Sequence, residues 1–235
     1  GTGTPVTLHA AGAGLEPLAR QWFKDGLAVV DGGGITGATT DTLAIASTVE
    51  SDTGAYTCEL ANACGTATTT PALLTVGPGT LFCTGDGLDA SVTTSCPCQN
   101  FGGEAHGCAN SVNATGATLR ATGATNPDDV VLQGSGMPNT ASAIYLKGDA
   151  DNGAGVVFGD GVRCVDGSLI RLRTKQNAGG ASQFPEVGEP SVSVRGQTPS
   201  GSGLTGYYQV YYRNSAAAFC PPATFNVTNG LRIDW

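Results

Sequence analysis

The residues of this sequence with the most chemistry to offer are its eight cysteines: Cys58, Cys64, Cys83, Cys96, Cys98, Cys108, Cys164 and Cys220. An even number admits two readings. As thiolates, the three in Cys96-Pro97-Cys98 and His106-Gly107-Cys108, joined by the imidazole, would offer zinc a set of four ligands. That spacing is not one of the common zinc modules, and a Gly- and Thr-rich, Lys-poor β-sequence suits an oxidising compartment. Disulfides are therefore expected at all eight positions, and with them a place outside the cell or on its surface.

Catalysis needs a base, and the only histidines are His9 and His106. Neither adjoins a nucleophile motif such as G-x-S-x-G. The acids fall mostly in Gly-rich turns, where Asp serves turn geometry, rather than as a spaced pair for glycoside cleavage. No enzymatic activity and no cofactor is expected. Asp149-x-Asp151-x-Gly153 has the form that opens a calcium loop, with Asp160 where the closing Glu would stand. An ordinary polar loop is the more economical reading of Asp149, Asp151 and Asp160. Tyr207, Tyr208, Tyr211 and Tyr212 put two tyrosines on each face of one strand. One pair belongs in a core; the other is either plain surface or an aromatic platform for a sugar or a partner protein.

The elements that must position these groups are strands. Gly accounts for 36 of 235 residues, charged residues are only 13%, and long Lys/Glu-rich helical stretches are absent. Short alternating apolar runs separated by Gly, Asn and Asp read as a turn-rich all-β protein. The net charge of -8 comes without a basic stripe, so nucleic acid is not an expected partner. No apolar run of about 18 residues is present, so membrane insertion is not expected either. No signal peptide stands at the start; in an exported chain it has been removed.

Val6-Thr7-Leu8-His9-Ala10 and Thr42-Leu43-Ala44-Ile45 alternate as half-buried strands do. Between them lies Gln21-Trp22-Phe23-Lys24-Asp25-Gly26, and after them Asp52-Thr53-Gly54-Ala55-Tyr56-Thr57-Cys58. The stretch from Val6 to Val76 resembles an immunoglobulin-like domain of the intermediate (I-set) type, as found in bacterial surface and secreted proteins. The resemblance implies that Trp22 is the buried tryptophan of strand C and Tyr56 the tyrosine corner of strand F. Two departures stand out. The strand-B position that usually holds the first cysteine falls on Ala10, so Cys58 needs another partner. Cys64 lies just across the turn Leu60-Ala61-Asn62-Ala63, within a hairpin's reach, and a Cys58–Cys64 bridge is expected. Only five residues precede Val6, where such domains carry an A or A′ strand. Either the protein continues upstream, or the sandwich has an open groove that a strand from another molecule fills.

Gly77-Pro78-Gly79 is a short linker, dividing the chain into an immunoglobulin-like domain at residues 1–77 and a disulfide-rich, jelly-roll-like β-sandwich at 80–235. The segment from Cys83 to Cys108 has almost no hydrophobic periodicity and must be held by its bridges. Strands follow at Ala117–Ala121, Asp129–Gln133, Ala143–Lys147, Ser168–Arg173, Ser191–Val194, Tyr207–Tyr212 and Leu231–Trp235. Cys164 and Cys220, both remote from the cluster, are expected to pair with each other, leaving Cys83, Cys96, Cys98 and Cys108 to pair among themselves. Phe158-Gly159-Asp160-Gly161-Val162-Arg163-Cys164 and Phe225-Asn226-Val227-Thr228-Asn229-Gly230 resemble a C-terminal module of large secreted proteins of planctomycete- and myxobacterium-like bacteria. The resemblance implies export and no particular activity. Together these readings give a non-enzymatic extracellular structural or adhesive protein, partnered by itself or by other surface proteins, with a filament built by strand donation as its sharpest form. The alternative is a carbohydrate-binding module of a larger secreted enzyme, with a glycan held at the tyrosine strand.

Overall fold

The computed structural model describes residues 4–12, 14, 16–74, 76–216 and 218–235. Gly1, Thr2 and Gly3, which precede the first strand, lie outside the described residues. The chain is almost entirely β and divides into two compact units, Gly1–Val76 and Gly77–Trp235.

In the first unit the alternation seen in the sequence becomes two facing sheets. Strands β1 (Val6–His9), β4 (Ile35–Thr36) and β5 (Thr42–Ile45) form one, in the order β1-β5-β4. Strands β2 (Ala19–Lys24), β3 (Leu27–Ala28), β6 (Gly54–Asn62) and β7 (Gly65–Thr68) form the other, in the order β3-β2-β6-β7, and β8 (Ala72–Leu74) pairs with the start of β6. Every second residue of β6 points inward, so Tyr56, Cys58 and Leu60 are buried with Trp22, Leu43 and Ile45 between the sheets. Asp25-Gly26, both at positive φ, turns β2 into β3 as a two-residue hairpin loop requires. The Asp25 carboxylate then accepts the Ala55 N–H at 2.8 Å and ties that turn to β6.

The second unit has three layers. Its central sheet runs β15-β12-β17-β19-β9, made from Ile170–Gln176, Ser142–Gly148, Thr205–Arg213, Gly230–Asp234 and Thr80–Phe82, with β18 (Phe225–Val227) also on β17. A three-stranded sheet of β10 (Thr118–Thr122), β11 (Val131–Ser135) and β16 (Ser182–Phe184) contributes Leu119, Leu132 and Phe184 to the core that Tyr145, Tyr208, Val210 and Tyr212 enter from the central sheet. On the opposite side of β17 lie the hairpin of β13 (Ala150–Phe158) and β14 (Gly161–Asp166) and the cysteine-rich segment. The 191–194 stretch, expected as a strand, is a single helical turn instead, α1 (Val192–Gly196). Val192 is buried and Val194 exposed, and the Asp128 carboxylate accepts the Ser193 N–H at 2.8 Å, satisfying a donor of that turn from a distant loop.

The cysteines pair differently from expectation. The bridges are Cys83–Cys164, Cys96–Cys108 and Cys98–Cys220, with Cα atoms 5.8–5.9 Å apart. Cys164 and Cys220 are not partners: β14 carries Cys164 to the end of β9, where Cys83 sits, while Cys220 meets Cys98. Nor does the 83–108 cluster close on itself. Cys58 and Cys64 are both free, one buried and one exposed. In the β6–β7 hairpin Asn62 pairs with Gly65, so Cys64 sits in the turn itself. Cys58 stands six residues before Cys64 and four before Asn62, about 13 Å back along the strand from the turn, opposite Thr69, whose hydroxyl accepts its N–H.

Candidate functional site

Among the described residues the first unit is open along one side. β1 is the outer strand of its sheet, and β7 and β8 lie at the edge of the other. The Ala10 N–H bonds the Asp41 carbonyl at 2.8 Å. In the antiparallel register of β1 with β5, this parity turns Val6, Leu8 and Ala10 toward β5 and leaves the backbone groups of Thr7 and His9 facing outward. Between these edges is a cleft of about 480 Å³ whose lining includes Thr7, Leu8, Pro71 and the two core aromatics Trp22 and Tyr56. Past Ala11 and Thr69 a second hollow of about 360 Å³ continues to Leu18, Leu60 and Cys64.

The floor of this cleft is rigid. Trp22 donates its indole N–H to the Thr40 carbonyl at 3.0 Å, and the Tyr56 hydroxyl donates to the Asp52 carbonyl at 3.0 Å, closing the tyrosine corner. Burial, then the Asp52 and Asp25 carboxylates, pushes the Tyr56 phenol above its ordinary value. Burial also pushes the Cys58 thiol up, which leaves it a packed apolar group and a poor nucleophile.

The tyrosine strand does not form one exposed platform. Tyr208 and Tyr212 are fully buried in the core. Tyr207 and Tyr211 point to the other face of β17, but both are half-buried. Tyr207 meets Phe82 edge to face at 5.7 Å, and Tyr211 meets Phe158 and Phe225 at 5.5 and 5.1 Å. Between them the buried Gln209 accepts the N–H groups of Cys164 and Val165 and donates to the Thr228 carbonyl. The β13–β14 hairpin therefore covers the face that the sequence left open.

Asp160 is kept apart from the other aspartates of the calcium reading. Asp149 precedes β13 and Asp160 lies in the turn at its far end; Ala150 pairs with Asp166 and Phe158 with Gly161, so about 16 Å of hairpin separates them. Asp149 accepts the Ser168 N–H, which holds its carboxyl below the ordinary value. Asp160 is 1% exposed and accepts the Asn214 amide at 2.6 Å; burial pushes its carboxyl up. Burial and the nearby Asp89 raise Asp151. Among the described residues no three of His, Cys, Asp and Glu converge on a metal position. The zinc alternative fails on its donors, since Cys96, Cys98 and Cys108 are all in disulfides. His9 and His106 make local contacts, with the Thr42 hydroxyl and the Glu104 carbonyl. Among the described residues no helix is long and apolar enough to cross a membrane.

Residues 1–76 match the immunoglobulin I-set domain, so the first unit is an I-set domain; the match covers this part of the chain alone. No curated protein matches the sequence. Among solved structures, one of Dscam, described as the structural basis for its isoform specificity, is 14% identical, with a TM-score of 0.30 over 99% of this chain and 41% of that one. An I-band fragment of titin is 15% identical, with a TM-score of 0.34 over 96% of this chain and 59% of that one. The chain spans about two fifths of the Dscam structure, and superpositions this loose carry no argument from those proteins to this one.

Proposed function

We propose that this chain is a non-enzymatic extracellular protein with a structural or adhesive role, exported by a bacterium, and that its I-set unit accepts an extended strand from a second copy. The observation behind this reading is the open side of the first sandwich, where a strand edge that no other described strand pairs borders a cleft that reaches Trp22 and Tyr56. A strand added to such an edge gains main-chain hydrogen bonds, and the hollows beneath it select alternate side chains. Joined copy to copy, this contact is open-ended and gives a filament. Three disulfides fit an oxidising space outside the cytoplasm.

Replacing Thr7 by proline tests the reading. The Thr7 N–H faces away from β5, so Thr7→Pro removes an outward donor and leaves the inner ladder whole. The parent chain is expected to associate in a concentration-dependent way, and the variant to stay monomeric with its melting temperature little changed. Equal association of the two would overturn the strand contact.

A further inference from the structure

The segment from Thr84 to Phe101 has no apolar pattern, yet its backbone is firmly anchored. The Gly85 N–H bonds the His106 carbonyl, the Gly102 N–H bonds the Gly85 carbonyl, and the Thr94 N–H bonds the Ala154 carbonyl. Cys96–Cys108 and Cys98–Cys220 tie down its far end. What this anchored loop shapes is a cleft of about 370 Å³, lined by Thr84, Asp86, Asp89, Thr94, Ser95 and Phe101 among others. That is within the range of about 300–1,000 Å³ typical of small-molecule sites.

Phe101 is 43% exposed and forms an apolar wall. Its ring lies against Gly87, where a Cβ would come within 3.3 Å of the ring carbons and where φ is +74°. A side chain there would be strained and would push the ring by a few tenths of an ångström. The polar groups are nearly all acceptors. Thr84 donates its hydroxyl proton to Asp86 at 2.9 Å and Thr94 donates its own to the Gly155 carbonyl at 2.7 Å. Only their lone pairs remain free. Burial works against the Asp86 anion, but the Leu88 and Ala105 N–H groups and the Thr84 hydroxyl outweigh it and hold the carboxyl below its ordinary value. Asp89 accepts the N–H and hydroxyl of Ser91 on one oxygen. No Lys or Arg lines the cleft.

A wall of acceptors beside an exposed ring rejects anions and favours a ligand with several donors and one apolar face. Among the described residues no three acidic, His or Cys side chains could share a metal ion. Spaced donors are the match, as on the hydroxyls of a sugar ring. We propose that this cleft binds a neutral sugar unit of a glycan, with its C–H face on Phe101 and its hydroxyls donating to Asp86, Asp89, Thr84 and Thr94. The site lies wholly in the second unit, so it stands or falls apart from the strand contact of the first.

Saturation-transfer NMR on the full chain tests this, with neutral oligosaccharides of glucose, galactose and N-acetylglucosamine as probes and spermidine as a cationic competitor. Saturation of at least one sugar is expected, unaffected by spermidine. Phe101→Ala should weaken that binding about tenfold or more, roughly 1.4 kcal/mol, while Phe101→Tyr keeps it. Asp89→Asn, which retains the oxygen that Ser91 needs, should weaken it several-fold and provides the test if Phe101→Ala unfolds. Silence from all three sugars, displacement by spermidine, or variants that bind as the parent does would overturn the proposal.

Discussion

In the first unit, Trp22 and Tyr56 hold two small sheets together, and Cys58 remains a buried free thiol between them. In the second, a larger core of tyrosines and aliphatics packs two sheets, and three disulfides fasten polar loops onto the back of the central one. The difference follows from what each segment can bury. Where apolar residues recur every second position, strand pairing and burial suffice. Between Cys83 and Cys108 they do not recur, and covalent bonds supply the order that a core cannot. The same contrast separates the proposed sites: an unpaired strand edge in the first unit, a cross-linked cleft in the second.

Removing one bridge should strain this comparison most. Cys98–Cys220 closes 122 residues, and the chain-entropy account assigns such a bridge about 4–5 kcal/mol. Calorimetry of the Cys98→Ser, Cys220→Ser double variant should show the second unit melting far earlier and the first unit unmoved. A shift of both transitions would mean that the units do not hold themselves separately.

The reverse experiment gives the first unit what it lacks. Ala10 and Cys58 are buried in one core cluster, and Ala10→Cys should form a bridge between the sheets. The expected gain is about 2–4 kcal/mol, with titratable thiols falling to Cys64 alone. Two further free thiols and no rise in melting temperature would show that the two positions do not meet.

Alkaline pH should weigh more on the second unit than on the first, where burial raises the Tyr56 phenol alone among the tyrosines. Burial pushes the Tyr145 and Tyr208 phenols up to about 12, from an ordinary value of 10.0. The unfolded chain therefore releases these protons first. Their contribution is intact below pH 10.0 and is lost as pH climbs toward about 12, by roughly 2–3 kcal/mol for each tyrosine. Chemical denaturation across that window, with ultraviolet titration of the phenols, would check both the sign and the range. Smallest is Tyr56→Phe, which deletes the hydroxyl bond to the Asp52 carbonyl. It should cost the first unit about 1 kcal/mol and leave the second unchanged.

How much of this was legible in the sequence depends on how local the cause is. Trp22, Tyr56 and the Asp52-x-Gly54-x-Tyr56-x-Cys58 pattern act through their own strands, and the I-set domain is readable from them. The all-β class is readable from alternation and turn residues in the same way. Disulfide partners are not: Cys83 meets Cys164 because the fold lays β14 beside the end of β9, a contact 81 residues apart in sequence. Tyr207 and Tyr211 are half-covered because another hairpin folds over them, and residues 192–196 turn helical with help from Asp128. Phe101 gave no signal at all, because a segment without periodicity offers none until its anchors are placed.

The most direct test of the account is the mass of the purified chain in solution across a range of concentration, with electron microscopy of the same material. The account predicts species larger than a monomer that grow with concentration into ordered fibres. A chain that keeps its monomer mass throughout, with no fibres on the grid, would contradict it.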